Sequence, residues 1–152
     1  AKTKKYTKVA TVKGTSYTKS GLTTGTSYSY KVRAYKTVDK KNVYGSYSKA
    51  VSAKPSLSKV AGVKTVNVSG KAVKVTWKKV SGASGYKLYR STKKNGSYKL
   101  VKTVKGYKTV KYTNKKLKKG KTYFYKVRAY KTVGKKKVYG SYSSYKSVKV
   151  RK

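Results

Sequence analysis

Apolar and polar positions alternate through most of the second half of this chain. Val63–Val68 opens the pattern, and Val73, Val75 and Trp77 follow, interleaved with Lys74 and Thr76. Tyr86, Leu88 and Arg90 share one face after the turn-like SGASG of Ser81–Gly85. A tight-turn signal, KKNG at Lys93–Gly96, leads into Tyr98–Val104 and then Tyr107–Tyr112. Tyr123, Tyr125, Val127 and Ala129 alternate with Phe124, Lys126, Arg128 and Tyr130. After GKKK at Gly134–Lys137, Val138–Val150 forms the last strand region. A period of two marks half-buried strands, and nothing repeats with helical spacing. Seven short strands in a unit of this size predict an all-β, antiparallel sandwich.

The first third of the chain repeats the end of this pattern. YKVRAYKTV occurs at Tyr30–Val38 and again at Tyr125–Val133, and VYGSYS at Val43–Ser48 and Val138–Ser143. The same spacing relates Leu22 to Leu117, Gly25 to Gly120 and Tyr28 to Tyr123. Further upstream, YTKVATVKG at Tyr6–Gly14 matches YKLVKTVKG at Tyr98–Gly106, the offset changing by three residues where a loop would absorb it. Residues 58 to about 97 have no counterpart before Ala1. A tandem module is implied. Residues 1–54 read as the C-terminal half of one copy, residues 55–58 as a linker beside the chain's single proline, Pro55, and residues 59–152 as a complete copy. Half a sandwich leaves a sheet face uncovered and strand edges unpaired. The expectation is that neighbouring modules or chains complete residues 1–54; the alternative is an independent small fold.

Charge changes the picture most. Against 43 Lys and Arg there is one acidic residue, Asp39, and the net charge is +42. Only Arg33, Arg90, Arg128 and Arg151 are arginines. Such charge would suggest disorder, but 18 tyrosines and abundant alternating valine argue for a packed core. Without cysteine there is no disulfide framework or thiolate metal site, which fits a secreted bacterial protein. No apolar run approaches the roughly 18 residues of a membrane span, and no signal peptide is present.

The residues resemble fibronectin type III modules. Trp77 stands on the second strand, where that family places its core tryptophan. LKKGKTY at Leu117–Tyr123 resembles the family's tyrosine corner, and LTTGTSY at Leu22–Tyr28 repeats it. The Y-x-x-x-V-x-A pattern recurs at Tyr123–Val127–Ala129 and Tyr28–Val32–Ala34. The proline usual before the corner glycine is replaced by Lys119 and by Thr24. The resemblance implies structural roles for Trp77, Leu117, Gly120, Tyr123, Leu22, Gly25 and Tyr28, with each corner hydroxyl bonded to nearby backbone. The lysine-rich wording is similar to modules of secreted or surface proteins of Gram-positive bacteria, which implies an extracellular or cell-surface setting.

Most catalytic chemistry lacks its residues. Paired-carboxylate hydrolysis needs two acids, and a Ser-His-Asp triad needs a histidine the chain does not contain. Metal ligands and phosphate-binding glycine loops are missing as well, so neither catalysis nor a cofactor is expected. Lysines this numerous must coat the surface. They give either a solubilising stalk or attraction to a polyanion: an anionic cell-wall polymer, an acidic polysaccharide, or nucleic acid bound without sequence preference. Lysine favours diffuse attachment, because the bidentate contacts that specify phosphate come from arginine. The densest basic loops are Lys115, Lys116, Lys118, Lys119 and Lys121, and then Lys135, Lys136 and Lys137. Tyr89, Phe124 and Tyr130 point away from the core and are expected to be free for contact. The function expected is structural and adhesive; the alternatives are a dedicated polyanion-binding module or an accessory module of an upstream hydrolase.

Overall fold

The computed structural model describes residues 5–151. Among them are twelve strands and no helix. The first copy contributes β1 (Tyr28–Tyr30), β2 (Tyr35–Val38), β3 (Lys41–Tyr44) and β4 (Val51–Ala53). The second contributes β5 (Lys64–Val68), β6 (Ala72–Thr76), β7 (Gly85–Ser91), β8 (Lys99–Lys105), β9 (Lys111–Asn114), β10 (Thr122–Val133), β11 (Lys136–Tyr139) and β12 (Lys146–Lys149).

Residues 57–151 form a sandwich of two antiparallel sheets. One is ordered β5-β6-β9; the other runs β11-β10-β7-β8, with β12 also on β10. The alternation in β10 explains why it lies centrally. Tyr123, Tyr125, Val127 and Ala129 all enter the core, against Trp77, Tyr86 and Leu88 on the facing elements. Trp77 is 4% exposed and meets Tyr86 edge-on, with ring centroids 5.4 Å apart. Two strand regions differ from the sequence reading. The stretch from Tyr107 becomes a strand only at Lys111, because a turn closed by Thr109 N–H to the Gly106 carbonyl precedes it. Val138–Val150 splits into β11 and β12, because the Ser143 hydroxyl takes the Val127 N–H at 2.9 Å in place of a ladder bond.

The first copy reproduces the local geometry of the second without its core. The Tyr28 hydroxyl accepts from Thr23 N–H at 3.0 Å, as Tyr123 does from Lys118 N–H at 3.1 Å. Gly25 N–H reaches the Pro55 carbonyl at 2.8 Å, as Gly120 N–H reaches that of Val150. Ser48 brackets Val32 as Ser143 brackets Val127. Yet every core residue lies at Leu57 or beyond. Asp39 and Lys40, both with positive φ, form the tip of the β2–β3 hairpin.

Strand content differs between the two copies. β8 pairs only with β7, and β9 only with β6. The first copy's equivalents of β8 and β9, in residues 6–20, contain no strand. The nonapeptide YKVRAYKTV is continuous strand within β10, flanked by β7. In the first copy the same residues are interrupted at Lys31–Ala34.

Candidate functional site

The basic loops occupy opposite ends of one strand. Lys115, Lys116, Lys118, Lys119 and Lys121 precede β10; Lys135, Lys136 and Lys137 follow it, and all are exposed. Twelve extended residues separate the groups, which is roughly 40 Å at about 3.3 Å per residue. That exceeds the Debye length of about 8 Å at physiological salt several-fold, so the groups act independently. The structure does not bring the two together.

Other cations join the first group. Leu117 N–H donates to the Lys71 carbonyl at 2.9 Å, which sets the β5–β6 turn beside the loop. Gly120 N–H and Lys121 carbonyl bracket Val150, next to Arg151. Lys71 and Arg151 therefore belong to the same pole, a juxtaposition that sequence order hides. The Lys135–Lys137 hairpin has a different neighbour, the corner of the first copy. A Cβ on Gly25 would lie 2.6 Å from Val138 Cγ2. Val43, the counterpart of Val138 in the first copy, has no such cover and is 61% exposed.

The corner facing a lysine hairpin carries Thr23, Thr24 and Thr26, whereas the open corner carries Lys118, Lys119 and Lys121. Like charges in contact repel, and neutral threonine avoids that. The two corners otherwise share backbone geometry, with φ of 83° at Gly25 and 77° at Gly120.

The outer face of the β7–β10–β11 sheet is not the open tyrosine platform expected from sequence. Tyr89 is 8% and Tyr130 4% exposed, and Phe124 is half-buried against Tyr145. The guanidinium of Arg128 covers Tyr89 and two neighbouring rings, lying 4.1 Å from the centroid of Tyr139, 4.5 Å from Tyr142 and 5.3 Å from Tyr89. It also donates to the Tyr89 hydroxyl at 2.9 Å. Lys126 lies 4.2 Å over Tyr98, and Lys137 5.3 Å over Tyr130. The arrangement repeats in the first copy, with Arg33 at 3.9 Å over Tyr44 and 4.6 Å over Tyr47. A cation on each ring face is worth about 0.5–1 kcal/mol at an exposed site. The Lys87 ammonium, 5.1 Å from the Tyr139 ring centroid, holds the phenol's pKa below the usual value. Partial loss of solvent beside Tyr89 pushes that of Tyr142 up.

No cluster of metal-ligating side chains occurs among the described residues. Nor is there among them a helix long and apolar enough to cross a membrane. The family model of the fibronectin type III domain matches residues 58–143, more than half of the chain. The chain belongs to the fibronectin type III family. Domains of this family are typically non-catalytic structural or binding modules. No curated protein matches the chain in sequence. Among solved structures, an Fn3-like protein from Clostridium thermocellum is 27% identical with a TM-score of 0.53, over 64% of this chain and 95% of that one. The FN1–FN3 domains of chicken CNTN1 are 19% identical with a TM-score of 0.55, over 90% of this chain and 46% of that one. The A168–A170 domains of titin are 16% identical with a TM-score of 0.53, over 68% of this chain and 37% of that one.

Proposed function

We propose that this chain is a non-catalytic structural and adhesive segment of a tandem fibronectin type III array in a bacterial extracellular or cell-surface protein. In this reading residues 1–54 are the C-terminal half of one module, residues 55–58 a linker and residues 59–152 a complete module. Neighbouring modules or chains complete the first. The lysine surface attaches the array to an anionic wall polymer or acidic polysaccharide, and to nucleic acid without sequence preference.

One observation carries the proposal. The corner that packs on a neighbouring hairpin is neutral, and the corner that faces solvent is KKGK. Lysine stands where no packed neighbour excludes it, at a pole shared with Lys71 and Arg151. Such a pole suits a flexible anionic chain, and lysine's compact charge provides attraction without shape readout.

Salt and substitution test it. Affinity for teichoic acid, a heparin-like sugar and DNA of matched charge density should be similar. It should fall by roughly 10³–10⁵ between 50 and 200 mM salt if six to ten charges are neutralised. Replacing Lys115, Lys116, Lys118, Lys119 and Lys121 with Gln should weaken binding in proportion to the charge removed. Replacing Lys135, Lys136 and Lys137 should do so to a smaller degree. Complete loss from one set, with the fold intact, would replace diffuse adhesion by a dedicated polyanion site, which the clustering of seven cations at one pole favours as the second reading.

A further inference from the structure

Among the described residues the first copy leaves one strand edge open, and the second copy records what fills it. Against β10 lies β7, in the register Phe124–Ser91, Tyr125–Arg90, Lys126–Tyr89, Val127–Leu88, Arg128–Lys87, Ala129–Tyr86 and Tyr130–Gly85. Val127 and Ala129 direct backbone bonds to the other side, toward Ser143 and Gly140. Antiparallel alternation then turns the N–H and C=O groups of Lys126 and Arg128 toward β7. The equivalent bonds of Val32 and Ala34 go to Ser48 and Gly45. Lys31 and Arg33 therefore present their backbone groups to the empty side. Above that edge, Val32 is 71% exposed, whereas Val127 is 0% exposed.

We infer that the edge Ser29–Tyr35 is a docking site for one β-strand of the β7 type, taken antiparallel in the register of the second copy. This deepens the proposal that residues 1–54 are an incomplete module, and rests on it. The site specifies its occupant. Opposite Tyr35 it requires glycine: at Gly85 a Cβ would lie 2.8 Å from the Tyr130 hydroxyl and closer still to the Val104 carbonyl. Opposite Ala34 and Val32 it requires large apolar side chains, as Tyr86 and Leu88 are in the second copy. Opposite Arg33, outward-facing, any residue serves. The motif is Gly–apolar–x–apolar. Main-chain bonds supply affinity and the alternate pockets supply choice. A second copy pairing edge to edge is a poor occupant. It would set Lys31 and Arg33 of each chain among their like-charged equivalents, between molecules of net charge +42.

The test extends the full chain. A second copy of Leu57–Ser97 is placed ahead of Tyr6, and amide exchange is read at Lys31 and Arg33. Lys126 and Arg128 serve as internal references. Protection at Lys31 and Arg33 should rise at least about 100-fold, toward the reference values, as local opening becomes opening of a whole module. Carrying Gly85→Val in the added segment alone should abolish the gain. The inference is overturned if Lys31 and Arg33 exchange as fast as before while the references stay protected. It is equally overturned if the Gly85→Val segment protects as well as the unaltered one. Protection in the unextended chain as a dimer would make a second copy the occupant. Protection in the unextended monomer would instead defeat the incomplete-module reading itself.

Discussion

The two copies of YKVRAYKTV allow one substitution to be made twice in the same nine residues, at Val127 and at Val32. Val127 is 0% exposed in the core. Val127→Ala removes two methyl groups, worth about 1.6 kcal/mol at ~0.8 kcal/mol each. The residual cavity adds on the order of 1 kcal/mol, because a sandwich core collapses only in part. The expected loss is about 2–3 kcal/mol. Val32, 71% exposed, has almost no burial to lose, and Val32→Ala should stay within about 0.5 kcal/mol. Urea unfolding at fixed salt, followed by Trp77 fluorescence, reads both. Trp77 is the only tryptophan and lies in the complete module's core. The Val127→Ala midpoint should move with an unchanged slope. A Val32→Ala loss above about 1 kcal/mol would show that the first copy is covered in solution. A Val127→Ala loss below that would refute the core assignment of β10.

The corner glycines should separate strain from contact. Gly120→Ala places a side chain at φ of 77° with open space around it, and should cost the complete module about 1–2 kcal/mol without moving the Val138 methyl resonances. Gly25→Ala should shift those resonances, because its Cβ would meet Val138 Cγ2, and leave the main unfolding transition in place. Burial raises the pKa of Tyr125 above its ordinary 10.0. The stability tied to the neutral phenol is therefore full below pH 10 and is lost as pH rises toward the folded-state value. Tyr125→Phe gives up one bond to Asn114, about 0.5–1.5 kcal/mol at pH 7. Above pH 10 it should gain on the wild type by up to about 1.4 kcal/mol per pH unit in denaturation measurements; equal slopes would show that Tyr125 is not sequestered.

The strands legible in sequence were those whose pairing and burial reinforce the same alternation. β6 and β10 expose or half-bury the polar residues between their core valines and tyrosines and have strand neighbours on both sides, so their period of two is plain. The residues from Tyr107 to Val110 look like strand by composition, but a turn claims them. Residues 6–14 are similar in sequence to residues 98–106, which hold β8, yet contain no strand. No local pattern records that difference. The poles were half legible. Lysine density marked the two loops, but Lys71 and Arg151 join the first only through bonds spanning the fold. Tyr89 and Tyr130 face outward, as alternation requires, yet are buried by Arg128, Lys137 and Tyr142 lying across them. Period-two reasoning gives the direction of a side chain and not what is laid over it.

With Asp39 as its one acid, this chain cannot balance its cations with carboxylates. Ring faces and neutral acceptors take that place. Arg33, Arg90 and Arg128 each lie over tyrosine rings. Arg90 also donates to Asn114, and Arg128 to a phenol oxygen. Arginine suits such stacked positions because its planar group sheds water more readily than an ammonium. The strongly hydrated lysines stay outside, some over exposed rings and the rest in loops and at poles. This division accounts for a composition rich in both tyrosine and lysine. Ring faces cover the few cations that lie on packed faces, and most of the remaining charge faces solvent. Such a surface repels copies of itself and attracts anything anionic. Where two basic elements must touch, at Gly25 and Val138, the lysines give way to threonine.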